Sequence, residues 1–416
     1  MTITLRPHQK EAIDTLSVST KGQLIVPTGG GKTLIAITDA IRRLELSTTP
    51  ITIVVVAPRI LLANQLCSEF MEQVSERIGN VIVGHVHSGE TKHFSTTKHQ
   101  EIADFVNMTK LGGLHTLLFT TYHSLGRIQQ SGVSVDTVYF DEAHNSVQRH
   151  FYKATEYFSQ EANRAFFFTA TPKHSRTKSR PGMNNVEVYG DTIVNVSAPS
   201  LVNQGFIIPP YIATREMNIQ DRKNLTPQFY GNIVLDSVDD YRIKKMLVCA
   251  QSVTQITRIV NESDLVSQLN ERGYSVMYIS AKTGGVIDGR KVRRDEFFRT
   301  LNQWGRDDNK HFVIFHHSIL SEGINVSGLE GCVMLRTMDN VTISQTIGRV
   351  IRLHPQDAIR LRSGELTPGK VNTYKKGYGL VIVPTFSKSS KKVEKNIQGV
   401  VDLTFKEGQP SITYVR

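Results

Sequence analysis

Residues Pro27-Thr28-Gly29-Gly30-Gly31-Lys32-Thr33 lie between a short apolar run, Gln23–Val26, and a stretch with helical patterning, Leu34–Leu44. Glycines at a strand-to-helix junction let backbone N–H groups turn inward around phosphate oxygens, and the helix N-terminus adds partial positive charge. Lys32 then supplies a point charge to the β- and γ-phosphates of a nucleotide, and the Thr33 hydroxyl is placed to ligate Mg²⁺. The strict form of such a loop begins with glycine where this chain has Val26. A glycine-rich turn with an incidental Gly-Lys-Thr is the competing reading, and the strand–loop–helix context disfavours it.

A second cluster, Asp141-Glu142-Ala143-His144, follows the apolar run Thr137–Phe140. At the C-terminal edge of a parallel strand, Asp141 can hold Mg²⁺ while Glu142 accepts a proton from, or orients, an attacking water. Carboxylates favoured by a helix dipole would be the plain alternative, were no phosphate loop present upstream. Ahead of that loop, Arg6 and Gln9 flank a first helix, and a glutamine amide can pair with the N6/N7 edge of adenine. That pairing selects ATP over GTP. In the second half, Gln345, Arg349 and Arg352 recur at helical spacing. A guanidinium supplied by a second domain raises the rate of phosphoryl transfer, because the charge spreading over the transferring group is stabilised only on closure. Arg352 is the stronger choice for that finger.

The elements that must carry these groups alternate. Strand candidates Gln23–Val26, Ile51–Ala57, Val81–Val83, Leu117–Thr120, Thr137–Phe140 and Ala165–Thr169 are separated by longer helical patterns, as in βαβ units with a mostly parallel sheet. The rhythm breaks over the proline-rich stretch from Pro172 to Tyr241 and resumes with a helical pattern over Asp239–Ala250. Strand candidates Gln255–Val260, Ser275–Ser280, His311–Phe315, Cys332–Leu335 and Leu380–Pro384 follow. The expected division is a first domain over 1–198, a connecting segment over 199–238, a second domain over 239–385 and a short extension over 386–416.

Taken in order, these residues resemble a superfamily 2 DEAH-type helicase or translocase. Ala57-Pro58-Arg59 with Gln65 is similar to motif Ia, Asp141–His144 to motif II and Thr169-Ala170-Thr171 to motif III. Ser321-Glu322-Gly323-Ile324-Asn325 resembles motif V, and Gln345-x-x-Gly348-Arg349-x-x-Arg352 resembles motif VI. The tract Leu201–Pro210 resembles the group that contains XPB, type III restriction-enzyme motor subunits and phage branch-migration helicases of the UvsW type. The resemblance implies an α/β fold of two tandem RecA-like domains, each a mostly parallel sheet flanked by helices, with ATP and Mg²⁺ in the interdomain cleft. It implies catalytic roles for Lys32, Asp141, Glu142, Gln345, Arg349 and Arg352. Nucleotide contacts fall to Arg6, Gln9, Pro27–Thr33, Gly323 and Asn325, and coupling to His144, Thr169 and Thr171. Arg59, Thr120, Thr121, Ser318 and Ser321 become candidate contacts to a nucleic-acid backbone. Asn325 stands where the family often has Asp, and about 25 loop-like residues follow motif VI.

The composition fits these readings. Forty-nine Lys and Arg against 38 Asp and Glu give a formal charge of +11 over 416 residues, which favours a polyanionic partner. Lys173, Arg176, Lys178 and Arg180 form a basic stretch that can touch DNA. Three dispersed cysteines, without a C-x-x-C pair, offer neither a disulfide framework nor a zinc module, and the five histidines from His85 to His115 fit no zinc spacing and are expected in loops and on the surface. The start of the chain lacks a secretory pattern, so a cytoplasmic location is expected, that of the bacterial host for a phage protein. The leading reading is a DNA-dependent ATPase that unwinds or branch-migrates forked DNA, with single-strand-binding or recombination proteins as further partners and no membrane. An RNA helicase, a restriction-system motor and an adaptor without ATPase activity are the alternatives; the full set of charged site residues argues against the last.

Overall fold

The computed structural model describes residues 4–177, 179–217, 225–280, 284–317, 328–336, 338–385 and 388–415. The chain divides into two compact units, Met1–Val196 with Ile412–Arg416, and Ser197–Ser411. Each is an α/β unit built on its own sheet.

The first unit contains β1 (Lys21–Ile25), β2 (Thr52–Ala57), β3 (Val81–Val86), β4 (Phe94–Ser95), β5 (His115–Thr121), β6 (Thr137–Phe140), β7 (Arg164–Thr169), β8 (Lys173–His174) and β9 (Thr192–Asn195). Eight of them form one parallel sheet in the order β4-β3-β5-β2-β6-β7-β1-β9. Strands such as TIVVVA and RAFFFT are buried along their whole length, as expected of central parallel strands covered on both faces. Alternate residues serve the two sides. Val55, Phe119 and Phe168 enter one core, while Val54, Val56 and Phe167 enter the other.

A buried polar cluster locks the helix that follows the phosphate loop to this sheet. Arg164 on β7 donates to Asp39 Oδ1 at 2.9 Å and to the Leu16 carbonyl at 2.9 Å, while the Tyr139 hydroxyl on β6 donates to Asp39 Oδ2. Two central strands therefore share the Asp39 carboxylate of the phosphate-loop helix, and Arg164 links that group to the first helix.

The second unit contains β10 (Pro210–Glu216), β11 (Lys245–Cys249), β12 (Tyr274–Ser280), β13 (Gly284–Ile287), β14 (Arg290–Val292), β15 (His311–His316), β16 (Gly331–Met334) and β17 (Gly379–Thr385). The sheet order is β10-β17-β16-β11-β15-β12-β13-β14, parallel except for the last two pairings. Two expectations are corrected here. Asp239–Ala250 is not a helix: the helix is Pro227–Tyr241, and Lys245–Cys249 is the fully buried strand β11. A continuous apolar run carries no periodicity that separates a buried strand from a buried helix. Gln255–Val260 belongs to the helix Val253–Glu262, which starts where the Ser252 hydroxyl accepts the Gln255 N–H at 3.0 Å and buries Ile256 and Ile259.

The segment 199–238, expected as a connection, contributes β10 and most of the helix Pro227–Tyr241 to the second unit. The stretch after motif VI carries a helix, Pro355–Arg362. The C-terminal residues return to the first unit, where β18 (Thr413–Tyr414) pairs in parallel with β8. Arg176 of the basic stretch stacks on the Tyr414 ring at 4.3 Å, so that stretch is tied to the chain's end; Lys178 lies outside the described residues.

Removing one member of a buried ion pair leaves the other charge uncompensated, which costs about 3–5 kcal/mol. Arg164→Leu is therefore expected to destabilise the protein by about that amount in urea unfolding, and the double change Asp39→Leu with Arg164→Leu to recover part of the loss.

Candidate active site

The phosphate loop emerges from the C-terminal end of β1. Val26 is wholly buried in the core, its N–H bonded to the Thr169 carbonyl at 3.0 Å, so the position that departs from the strict motif serves packing. The loop then turns tightly, with the Gly30 N–H on the Pro27 carbonyl at 2.9 Å. Gly29 and Gly31 take φ of 87° and 83°, a left-handed conformation that disfavours side chains. The helix Lys32–Leu46 follows at once.

Three residues around the start of the first helix, Pro7–Val18, grip this loop from behind. Arg6 donates to the Gly29 carbonyl at 3.0 Å, His8 Nε2 meets the Gly30 carbonyl at 2.7 Å, and Gln9 Nε2 donates to the Gly31 carbonyl at 3.4 Å. Because the N–H of a trans peptide lies opposite its C=O, holding the carbonyls of Gly30 and Gly31 on this side presents the N–H groups of Gly31 and Lys32 on the other. The Gln9 amide oxygen accepts the Arg6 N–H at 2.9 Å. Arg6 and Gln9, expected at the adenine, thus brace the phosphate loop in this structure, and His8 joins them. Only the placement of His8 beside Arg6 and Gln9 in sequence hinted at it.

Motif II hangs from the end of β6. Asp141 N–H bonds to the Val56 carbonyl at 2.9 Å, and the Tyr122 hydroxyl, which the sequence did not single out, donates to the Asp141 carbonyl at 2.8 Å. Glu142 has φ of 46°, a left-handed conformation costly for a residue with a side chain, and both the Asn145 N–H and its side-chain amide hold the Glu142 carbonyl at 3.0 Å. Burial, and then the neighbouring Glu142 carboxylate, push the Asp141 carboxyl up to about 7, with Lys32 pulling the other way. Lys32 Nζ itself rests on the Val26 carbonyl at 3.3 Å.

Glu142 is connected onward. His144 Nδ1 lies 3.4 Å from Glu142 Oε2 and 3.0 Å from the Thr169 hydroxyl, which also accepts the Thr171 N–H at 3.2 Å. The Thr171 hydroxyl is buried without a hydrogen-bond partner. The three residues expected to couple the nucleotide to the rest of the domain form one contact chain.

The donor set suits a magnesium nucleotide. A two-glycine cradle offers N–H groups at a helix N-terminus, Lys32 and Thr33 begin that helix, and the Asp141 carboxyl, whose charged form burial and Glu142 disfavour, suits a cation as partner.

In the second unit, the helix Asn340–Val350 is capped by Asp339, which accepts the Thr342 N–H at 2.9 Å. It carries Gln345 and Arg349 one turn apart, both buried, and Gln345 Nε2 has no hydrogen-bond partner. Arg349 sits near enough to His316 that, after burial, its charge is the next cause holding that imidazole neutral. Arg352 is half-buried, and its carbonyl accepts from Lys376 Nζ at 3.0 Å. Gly323, Asn325, Ser318 and Ser321 lie outside the described residues.

The expected backbone contacts of the first unit divide. Arg59 is exposed at the start of the helix Ile60–Val74. Thr120 and Thr121 are buried within β5, with the Thr120 hydroxyl donated to the Val86 carbonyl at 2.9 Å and that of Thr121 to Ser124 at 3.4 Å. Their hydroxyls finish the strand and are not offered to a ligand. His123 and Arg127, just beyond, are exposed.

Residues 2–174 match the family described as type III restriction enzyme, res subunit, a stretch that runs from before Arg6 to just past Thr171. No curated protein matches the sequence. Over 100% of this chain, the fold is similar to the ATP-dependent Type ISP restriction-modification enzyme LlaBIII bound to DNA, with a TM-score of 0.70 and 16% identity. The chain spans 31% of that enzyme's length, and 30% of the related enzyme LlaGI. Saccharomyces cerevisiae Dbp5 bound to RNA and ADP BeF3 matches with a TM-score of 0.58 and 15% identity over 98% of this chain and 89% of that one. Mycobacterium smegmatis helicase Lhr bound to ssDNA and AMP-PNP matches with a TM-score of 0.57 and 18% identity, over 95% and 48% respectively. These similarities establish the fold as that of tandem RecA-like helicase domains. Among the described residues, no helix is long and apolar enough to cross a membrane.

The charge balance at Asp141 has a measurable consequence in metal-free protein. A carboxyl at about 7 in the folded chain against 3.8 ordinarily binds its proton more tightly when folded. Its contribution to stability is therefore lost as pH rises from about 4 through 7. Asp141→Asn should raise Tm at pH 8 by on the order of a few °C, with the gain shrinking as the pH falls towards 4 and Mg²⁺ narrowing the difference at pH 8.

Proposed function

We propose that this protein is an ATP-driven DNA helicase or translocase that unwinds or branch-migrates forks and junctions during replication, recombination or repair. The observation that carries the reading is the unbroken set of contacts from Glu142 through His144 and Thr169 to Thr171, beside the braced phosphate loop. ATP with Mg²⁺, when bound, supplies the phosphoanhydride whose cleavage releases the energy.

Within the first unit, Lys32 and the amides of Gly31 and Lys32 hold phosphate charge. Thr33 and Asp141 would hold the cation, whose charge would offset the effect of Glu142 on Asp141. Glu142 accepts a proton from the attacking water, its carboxylate fixed by the strained backbone and by His144. His144 and Thr169 pass the state of that carboxylate to Thr171 and the segment that follows. The second unit supplies Gln345, Arg349 and Arg352, and the guanidinium groups stabilise charge on the transferring phosphoryl.

DNA is favoured as the track by the net charge of +11 and by the DNA-bound type ISP enzymes of similar fold. A second reading, the DNA-translocating motor of a restriction system, is favoured by the match of residues 2–174 to the res-subunit family. ATP hydrolysis and strand displacement, compared at fixed salt on single strands, duplex, forks, four-way junctions and RNA, separate these readings. Greatest stimulation by forks or junctions supports the first. Equal stimulation by plain duplex, without strand displacement, supports the motor, and preference for RNA contradicts both. In the same assay, Glu142→Gln should lower turnover by about 10²–10⁴-fold and Lys32→Ala should abolish it, each with DNA affinity retained.

A further inference from the structure

Of the five histidines expected in loops and on the surface, three are buried: His85, His87 and His115, the last within β5. His85, on β3, and His87, just after it, are 1% and 2% exposed. His85 faces Cys67, a buried thiol on the helix Ile60–Val74, and the ring of the exposed His93 stacks on it at 5.7 Å. One ligand atom from each of Cys67, His85 and His93 lies within 4.8 Å of the others.

The hydrogen bonds of His85 single out one nitrogen. Its Nδ1 lies 2.9 Å from His87 Nε2, whereas its Nε2 is buried with no partner. An unpaired buried polar atom is costly, and a native structure that keeps one needs a reason for it. His87 Nδ1 accepts the Gly89 N–H at 3.2 Å, so the His87 proton sits on Nε2, which also reaches Asn64 Oδ1 at 3.0 Å. His85 Nδ1 is then an acceptor, and the proton of that ring is stranded on the orphaned Nε2.

We infer that Cys67, His85 and His93 form a binding site for a soft divalent cation, with Zn²⁺ the best fit. One thiolate and two imidazoles are a zinc-type donor set, with water completing the tetrahedron. Bonds of about 2.3 Å to sulfur and 2.0–2.1 Å to nitrogen require ligand atoms roughly 3.3–3.7 Å apart. The three atoms, within 4.8 Å of one another, close by up to about 1 Å on binding, which side-chain rotation supplies. Binding releases one proton, from the Cys67 thiol. The His85 proton moves from Nε2 to Nδ1, and His87 shifts its own from Nε2 to Nδ1, giving up both the bond from Gly89 and the bond to Asn64 Oδ1 so that its Nε2 accepts from His85. The ion pins the segment between β3 and β4 to the helix that begins after Arg59.

The test is Co²⁺ titration of the full chain, stripped with a chelator and held in excess Mg²⁺ so that oxygen sites are filled. One equivalent should produce visible absorption with a thiolate-to-metal charge-transfer band, and Zn²⁺ should bleach both. Cys67→Ser should lose the charge-transfer band, while Cys249→Ser and Cys332→Ser keep it. His93→Ala, which touches only an exposed residue and should leave far-UV circular dichroism unchanged, should weaken Co²⁺ binding by more than about tenfold. Absence of the band in the wild type, or a band undiminished in both Cys67→Ser and His93→Ala, overturns the site.

Discussion

Two adjacent carboxyl groups at the end of one parallel strand, Asp141 half-buried and Glu142 buried, set the terms for the rest of the first unit. The neighbouring Glu142 carboxylate disfavours charge on Asp141, and Lys32 offsets only part of that effect. A cation bound there would stabilise the charged form of Asp141, which burial and the neighbouring carboxylate disfavour. The backbone strain at Glu142 and the anchoring of the Asp141 carbonyl by Tyr122 keep the pair in place. The site is thus arranged for its ligand at some cost to the free protein, a pattern common where chemistry is done.

The neighbouring elements follow from the same constraint. A central position between β2 and β7 gives β6 a buried, rigid end, and β1 and β7 place the phosphate loop and Thr169 beside it. The Asp39–Arg164–Tyr139 cluster then ties the helix carrying Lys32 to β6 and β7, so the lysine and the carboxyl pair are positioned by one packed layer. His144 contacts both Glu142 and Thr169, which gives a change of charge at the nucleotide a short route to the segment after β7.

Much of this was legible in the sequence because the chemistry is local. The phosphate loop, Asp141–His144 and Thr169–Thr171 are short runs whose residue types determine what they can do, and the parallel sheets follow from apolar runs separated by helical patterns. What escaped was decided by contacts distant in sequence. Lys245–Cys249 reads as helix or strand until its neighbours β15 and β16 are known. Thr120 and Thr121 look like polar residues available to a ligand, yet parallel neighbours on both sides bury them in β5. Arg6 and Gln9 were marked for the nucleotide, and what the sequence did not show is their hold on the carbonyls of Gly29 and Gly31. Cys67, His85 and His93 share no motif spacing; only the packing of a helix against β3 brings them together.

The proposed mechanism assigns stabilisation of the transferring phosphoryl to Arg349 and Arg352, on and just beyond one well-capped helix of the second unit. The most direct measurement is steady-state ATP hydrolysis at saturating DNA by Arg349→Ala and Arg352→Ala, with nucleotide binding followed separately by fluorescence. Retained ATP binding is expected, with stimulated turnover reduced by roughly 10³-fold or more in at least one of the two. Undiminished DNA-stimulated turnover in both would contradict that mechanism.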